Sequence, residues 1–172
     1  MSKIEVRPKI KLALTPADKT FEIIGWLLMV AFWVLIVSSY SSLPETIPIH
    51  YNGAGKANGF GGKAFILLLP IVATVLFIGL TVLNKFPHVF NYPVVITQDN
   101  AADQYSNATR LVRYFKIIVV CILGLLSFKT VQYAMGAKDF IGIWFLPLSI
   151  GLVFIPLISI MISSYRQKKR LW

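Results

Sequence analysis

Charge is what this chain has little of. Only 14% of its 172 residues are Asp, Glu, Lys or Arg, where a soluble domain carries charge on about a quarter. Acidic residues are the scarcer kind, 7 against 17 basic ones. So little polar surface cannot cover a water-soluble globule of this length, which excludes the ordinary soluble enzyme. Cys121 is the single cysteine, so an intramolecular disulfide is excluded, and a lone thiol in an apolar stretch behaves as a small hydrophobe. His50 and His88 are the two histidines, a thin supply for a metal site that needs three or four ligands. Also missing are a Gly-rich phosphate loop ending in Lys-Ser/Thr, a His-Glu-x-x-His helix, and a Ser or Cys nucleophile beside a plausible base. No catalytic residue, cofactor or metal is expected.

The charges that exist are unevenly placed. None falls between Glu22 and Glu45, between Lys63 and Lys85, or between Asp139 and Arg166; a fourth stretch, Lys116 to Lys138, is broken only by Lys129. Crossing a bilayer takes about 20 apolar residues. The expectation is an all-α integral membrane protein of four transmembrane helices, at about 21–43, 64–83, 114–134 and 140–165, with a basic arm at 1–20 and a basic tail at 166–172. The first apolar stretch is not followed by a small-residue cleavage site, so it reads as a retained helix. Pro70, Pro147 and Pro156 fall inside spans two and four, where a membrane helix tolerates them as bends.

Orientation follows from Lys and Arg. The arm carries five, the segment from Lys85 to Lys116 four and the tail four, while the first loop and last turn together hold three, Lys56, Lys63 and Lys138. That bias places both termini and the middle segment in the cytoplasm. It also accounts for the net charge of +10 through anionic lipid rather than nucleic acid. Within the middle segment Thr97 is a candidate N-cap. From there Ala101, Tyr105, Ala108, Val112 and Phe115 share one helical face. This cytoplasmic amphipathic helix either lies along the inner interface or packs on the end of the bundle.

The first loop is the most distinctive stretch, Pro44 to Lys63. Pro44 and Pro48 bias the residues before them toward extended backbone. Asn52-Gly53 can supply the positive φ of a tight turn. An ordered Pro/Gly-rich outer loop is expected, with Pro44, Glu45, Pro48, His50, Asn52, Gly53 and Lys63 as its candidate structural or partner-binding residues. His50 can change charge near neutral pH. It can hold the loop by hydrogen bonding or contact a metal or partner, and with so few ligands nearby the structural role is the expectation. Lys129 interrupts span three, and an intramembrane charge is a functional candidate. Lying near the outer end, it is also placed to snorkel to the interface.

Leu43-Pro44, Ile47-Pro48-Ile49-His50, Asn52-Gly53, Gly55, Gly59 and Gly62-Lys63 leading into an apolar span resemble a small bacterial membrane domain of unknown function. The same domain forms the amino-terminal part of Sdp-type immunity proteins, which protect a cell from its own secreted toxin. Phe90-Asn91-Tyr92-Pro93-Val94, followed by a helix with Arg110 and Arg113, resembles the single-domain members of that family. The family often has an acidic residue where Asn58 stands, and this chain lacks the second, larger membrane domain of the immunity proteins. The resemblance implies a protein of the bacterial cytoplasmic membrane that meets a toxin, peptide or membrane protein partner through loop and bundle. The alternative is a small oligomeric transporter or channel-like protein built on the proline-containing spans.

Overall fold

The computed structural model describes residues 7–137 and 141–170. Helix α1 spans Pro16–Tyr40 and begins earlier than the charge pattern implied. Its start is a capping box: the Thr15 hydroxyl accepts from the Asp18 N–H at 3.2 Å, and the Asp18 carboxylate accepts from the Thr15 N–H at 3.0 Å. Pro16 follows at the first helical position, where no N–H is needed. Residues 16–20, expected in the arm, are therefore the first turn of α1.

The loop after α1 is not helical. Strands β1 (Thr46–Tyr51) and β2 (Ala57–Gly62) pair as an antiparallel hairpin. The all-α expectation is corrected to a helical protein with a two-stranded sheet. A 3₁₀ turn, Lys63–Leu67, leads into α2, Leu68–Leu83. Pro70 lies in the first turn of α2, where a missing N–H breaks no bond of the α-helix.

Helix α3 runs without interruption from Ala101 to Ala134, 34 residues. The amphipathic helix and the third span, expected to meet near Tyr114, are one rod. Its N-cap is Asn100 rather than Thr97. Thr97 and Asn100 instead close a turn on each other, the Thr97 N–H donating to Asn100 Oδ1 at 2.9 Å. Helix α4 spans Phe145–Arg170 and starts shortly after Gly142, which takes a φ of 85°. The expected start at Phe140 lies outside the described residues. Pro147 falls in the first turn of α4 and Pro156 inside it.

Three helical stretches among the described residues are long and apolar enough to cross a membrane: Pro16–Tyr40, Lys63–Leu83 and Ala101–Ala134. The apolar part of α4, Phe145–Ser159, is shorter. Helices α1, α2 and α3 pack around Met29, Phe32, Ile36, Ala73, Phe77 and Val120, all buried. At Gly25 a Cβ would sit 2.9 Å from the Phe77 ring, so the missing side chain lets α1 and α2 close on each other, as small residues do in membrane bundles. The Trp33 indole N–H donates to Thr74 Oγ1 at 3.0 Å, and Thr74 donates to the Pro70 carbonyl at 2.7 Å. Large apolar side chains such as Val34, Val37, Val75 and Ile78 remain exposed on the outside, the arrangement of a bundle solvated by lipid chains.

The hairpin sits at one end of the bundle and the arm at the other. Tyr105 donates to the Pro8 carbonyl at 3.0 Å, and Arg7 donates to the His88 carbonyl at 3.2 Å and stands over the Tyr92 ring. Ile10 and Leu12 complete a small second core around Ile96, Ala101 and Tyr105.

Candidate functional site

The hairpin holds its shape through its own polar groups. The Asn52 N–H donates to the Lys56 carbonyl at 2.9 Å, and the Gly55 N–H to the Asn52 carbonyl at 2.8 Å. Asn52 Oδ1 accepts from the N–H groups of Ala54 and Lys56, each at 3.0 Å. The positive φ expected at Asn52-Gly53 is found instead at Gly55, 75°. The reason is the turn's length: the Asn52 side chain substitutes for one rung, and the reversal comes later. Gly55 is buried against the Gly142 backbone, while Gly53 has open space around it.

At the base of the hairpin Lys63 and Glu45 pair twice. Their side chains form an ion pair at 2.9 Å, and the Lys63 N–H donates to the Glu45 carbonyl at 2.9 Å. Lys63 also stands over the Tyr40 ring, tying the base to α1. Ile47 and Pro48 are buried, and Pro44 is exposed beside the buried Leu43. Tyr51 reaches α3, its hydroxyl 2.8 Å from Thr130 Oγ1. Burial pushes the Tyr51 hydroxyl above its usual titration range; the Thr130 hydrogen bond opposes that shift and Tyr133 adds to it.

His50 is exposed, with Nδ1 2.5 Å from Asn58 Oδ1. The histidine therefore bonds within the loop, at the position the resemblance singled out. It does so in reach of solvent, so its loss leaves no buried polar partner unsatisfied. Lys129 is half-buried and, among the described residues, belongs to neither the hairpin contacts nor the charge cluster described next. Ser127 and Thr130, by contrast, are buried on the α3 face toward the hairpin side of the core. No group of three His, Cys, Asp or Glu that could hold a metal occurs among the described residues.

Beside the hairpin is a cavity of about 410 Å³ between β1, the start of α2, α3 and the start of α4. Ile66 and Leu69 form one part of its wall, Leu126 and Thr130 another, and Phe145 and Leu146 a third. No carboxylate, amine or guanidinium lines it. It can hold an uncharged, largely apolar group next to the polar atoms of His50, Asn52 and Tyr51.

At the opposite end lies a cluster of charges that the span pattern hid. Asp18 and Glu22 of α1 face Arg110, Arg113 and Lys116 of α3. Arg113 donates to Glu22 at 3.1 Å and to Asp18 at 3.5 Å, Arg110 to Asp18 at 3.2 Å, and Lys116 to Glu22 at 2.6 Å. Lys116 also donates to Thr81 Oγ1 of α2 at 2.8 Å and lies 4.6 Å from the Phe77 ring centre. Lys116 is 1% exposed; each of its contacts replaces water that burial removed. The α3 face expected to be buried holds Ala101 and Tyr105, yet Gln104, Thr109, Arg113 and Lys116 are buried too. The signal was present as spacing: Asp18 and Glu22 are four apart on one helix, and Arg110, Arg113 and Lys116 are three apart on another, so each set forms a stripe.

Residues 27–74, from within α1 through the hairpin into α2, match the family model described as a domain of unknown function, DUF1648. The match contains the whole loop motif. An uncharacterised protein of Archaeoglobus fulgidus is 25% identical over 131 residues, covering 71% of this chain and 72% of that protein. No solved structure matches the chain. The family model thus covers the hairpin with parts of the two helices that flank it, and the archaeal protein is similar over a longer stretch.

Proposed function

We propose that this chain is a non-enzymatic binding module of the cytoplasmic membrane, with the hairpin outside and the arm, the 84–113 segment and the carboxyl end inside. The hairpin end engages a peptide or a membrane protein partner. Protection against a secreted toxin is the role that the likeness to Sdp-type immunity proteins lends such a module. The observation that carries the reading is the uncharged cavity held open by a hairpin that is latched at its base by Glu45–Lys63 and at its tip by Gly55 on Gly142. A loop with no ligand to present has no need of such fixed geometry. Orientation rests on the Lys and Arg bias.

The buried charges are the one feature that favours the transporter reading, because intramembrane ionisable groups often mark ion paths. They are separated from the hairpin cavity by Met29, Phe32, Ile36 and Val120. That apolar layer leaves the cluster as a clamp between helices rather than one end of a route. The deciding experiment is photo-cross-linking in cells from the exposed positions Gly53 and Phe60. A discrete partner adduct that disappears in Lys63→Ala, where the latch is lost, is the expected result. Substrate-dependent flux through purified protein in liposomes, with no adduct, would overturn the reading.

A further inference from the structure

The cluster at the arm end of the bundle sets three cations, Arg110, Arg113 and Lys116, against two carboxylates, Asp18 and Glu22. Each carboxylate is already shared: Asp18 accepts from both arginines, and Glu22 from Arg113 and Lys116. One positive charge is therefore left over among the described residues. In water such an excess matters little. Here Asp18, Arg113 and Lys116 are buried, and charges cut off from solvent need an opposite charge close by. Asp99 and Asp103, the other described carboxylates at this end, are exposed and form no ion pair with the cluster. Asp103 stands seven residues before Arg110, about 10 Å along the helix.

The excess charge has an outlet at Arg110, whose side chain is 43% exposed. Its Nε donates to Asp18, and among the described residues its two terminal nitrogens have no side-chain acceptor. Those nitrogens form a planar fork that fits two oxygens of one phosphate. Depth is fixed by the neighbouring helices. Asp18 lies in the first turn of α1, and Thr81, bonded to Lys116, in the last turn of α2. Arg110 thus sits where two spans reach the membrane surface. Phe21 lies three residues after Asp18 and Tyr114 four after Arg110, each half-buried and one turn further into the bundle. Such spacing keeps each beside the Asp18–Arg110 pair, where aromatic rings suit the level of lipid headgroups.

We propose that Arg110 holds the phosphate of one anionic phospholipid, whose negative charge completes the cluster and whose glycerol end lies over Phe21 and Tyr114. Basic sites between membrane helices take lipid headgroups in this way. Inorganic phosphate has the same chemistry without the chains; the place of Arg110 at the membrane surface, with two aromatic rings on its inner side, favours the lipid. The site lies at the end opposite the hairpin and does not depend on what the hairpin binds.

The test places the full chain in nanodiscs of equal parts phosphatidylglycerol and phosphatidylcholine. A photo-reactive p-benzoylphenylalanine replaces Tyr114 in one preparation and Val75, an exposed residue halfway along α2, in another. Adducts sorted by mass should be enriched in phosphatidylglycerol by about fivefold at Tyr114 and not at Val75. Arg110→Gln should remove the enrichment. The pair Lys9→Gln and Lys11→Gln, on the exposed part of the arm, should keep it. Should Arg110→Gln fail to fold, Arg110→Lys retains a cation for Asp18 without the fork, and the enrichment should fall to about half or less. Equal lipids at Tyr114, enrichment that survives both Arg110 variants, or enrichment that the arm variants remove as fully, would overturn the proposal. Loss of enrichment in inorganic phosphate but not in chloride of equal ionic strength would assign the site to free phosphate and overturn the lipid.

Discussion

At Gly55 the backbone takes a φ of 75°, and a Cβ there would lie 2.7 Å from the Gly142 amide nitrogen. Gly55→Ala therefore meets two penalties, a left-handed conformation worth about 1–2 kcal/mol and a clash with backbone that cannot swing away. A clear fall in melting temperature is expected for Gly55→Ala and little change for Gly53→Val, because Gly53 has neither constraint. Equal effects at both positions would place the turn elsewhere. The buried cluster gives a second ordering. Glu22 receives both Arg113 and Lys116, whereas Lys116 has a single carboxylate partner. Removing one side of a buried pair costs about 3–5 kcal/mol. Glu22→Leu, which strands Lys116 and leaves Arg113 only the more distant Asp18, should destabilise more than Lys116→Met, which leaves Glu22 its arginine. The double variant should lose less than the two single losses combined. Thermal or denaturant unfolding in detergent reads all three, and a reversed order would show that Lys116 leans on Thr81 and Phe77 more than on Glu22.

Among the elements, α3 shows how packing overrides a boundary read from charge. The expected break near Tyr114 separated charged from apolar sequence, but nothing in residues 101–134 stops a helix: no proline, and a single glycine, Gly124. The charged residues continue into the bundle because Asp18 and Glu22 neutralise them there. Hydrogen exchange should find amide protection continuous from Tyr105 through Ile118, without a fast-exchanging step near Tyr114. Such a step would restore two separate helices. Helix α1 gives the converse case, a local signal that the expected start at residue 21 passed over. Thr15-Pro16-Ala17-Asp18 is a capping box, and Thr15→Ala should cost about 1 kcal/mol by removing the cap. The hairpin was half legible. Pro44, Pro48 and Asn52 signalled an ordered loop, but pairing of β1 with β2 depends on contacts six to sixteen residues apart, from Tyr51–Ala57 out to Thr46–Gly62, which composition alone does not rank.

For the whole molecule, single cysteines in a Cys121→Ser background test the placement of both ends. Gly53→Cys should react with an impermeant thiol reagent on intact cells and Ala102→Cys should not; the opposite pattern would invert the proposed topology. Of the four expected spans, three are long and apolar enough among the described residues to cross a membrane; they were readable because lipid solvation imposes one simple demand, a long uncharged run, and sequence shows such a run directly. The ordered loop was readable because proline and glycine restrict backbone angles locally. Three things were decided only when the chain was folded. The positive φ falls at Gly55, where the turn meets Gly142. The cavity arises from β1, α2, α3 and α4 meeting, residues spread from Ile47 to Leu146. The charges at 18, 22, 110, 113 and 116 became a single cluster because α1 and α3 start at the same end of the bundle. Local steric and solvation rules act on neighbours in sequence; these three features are contacts between residues far apart in it, and only the packing of the helices brings them within reach.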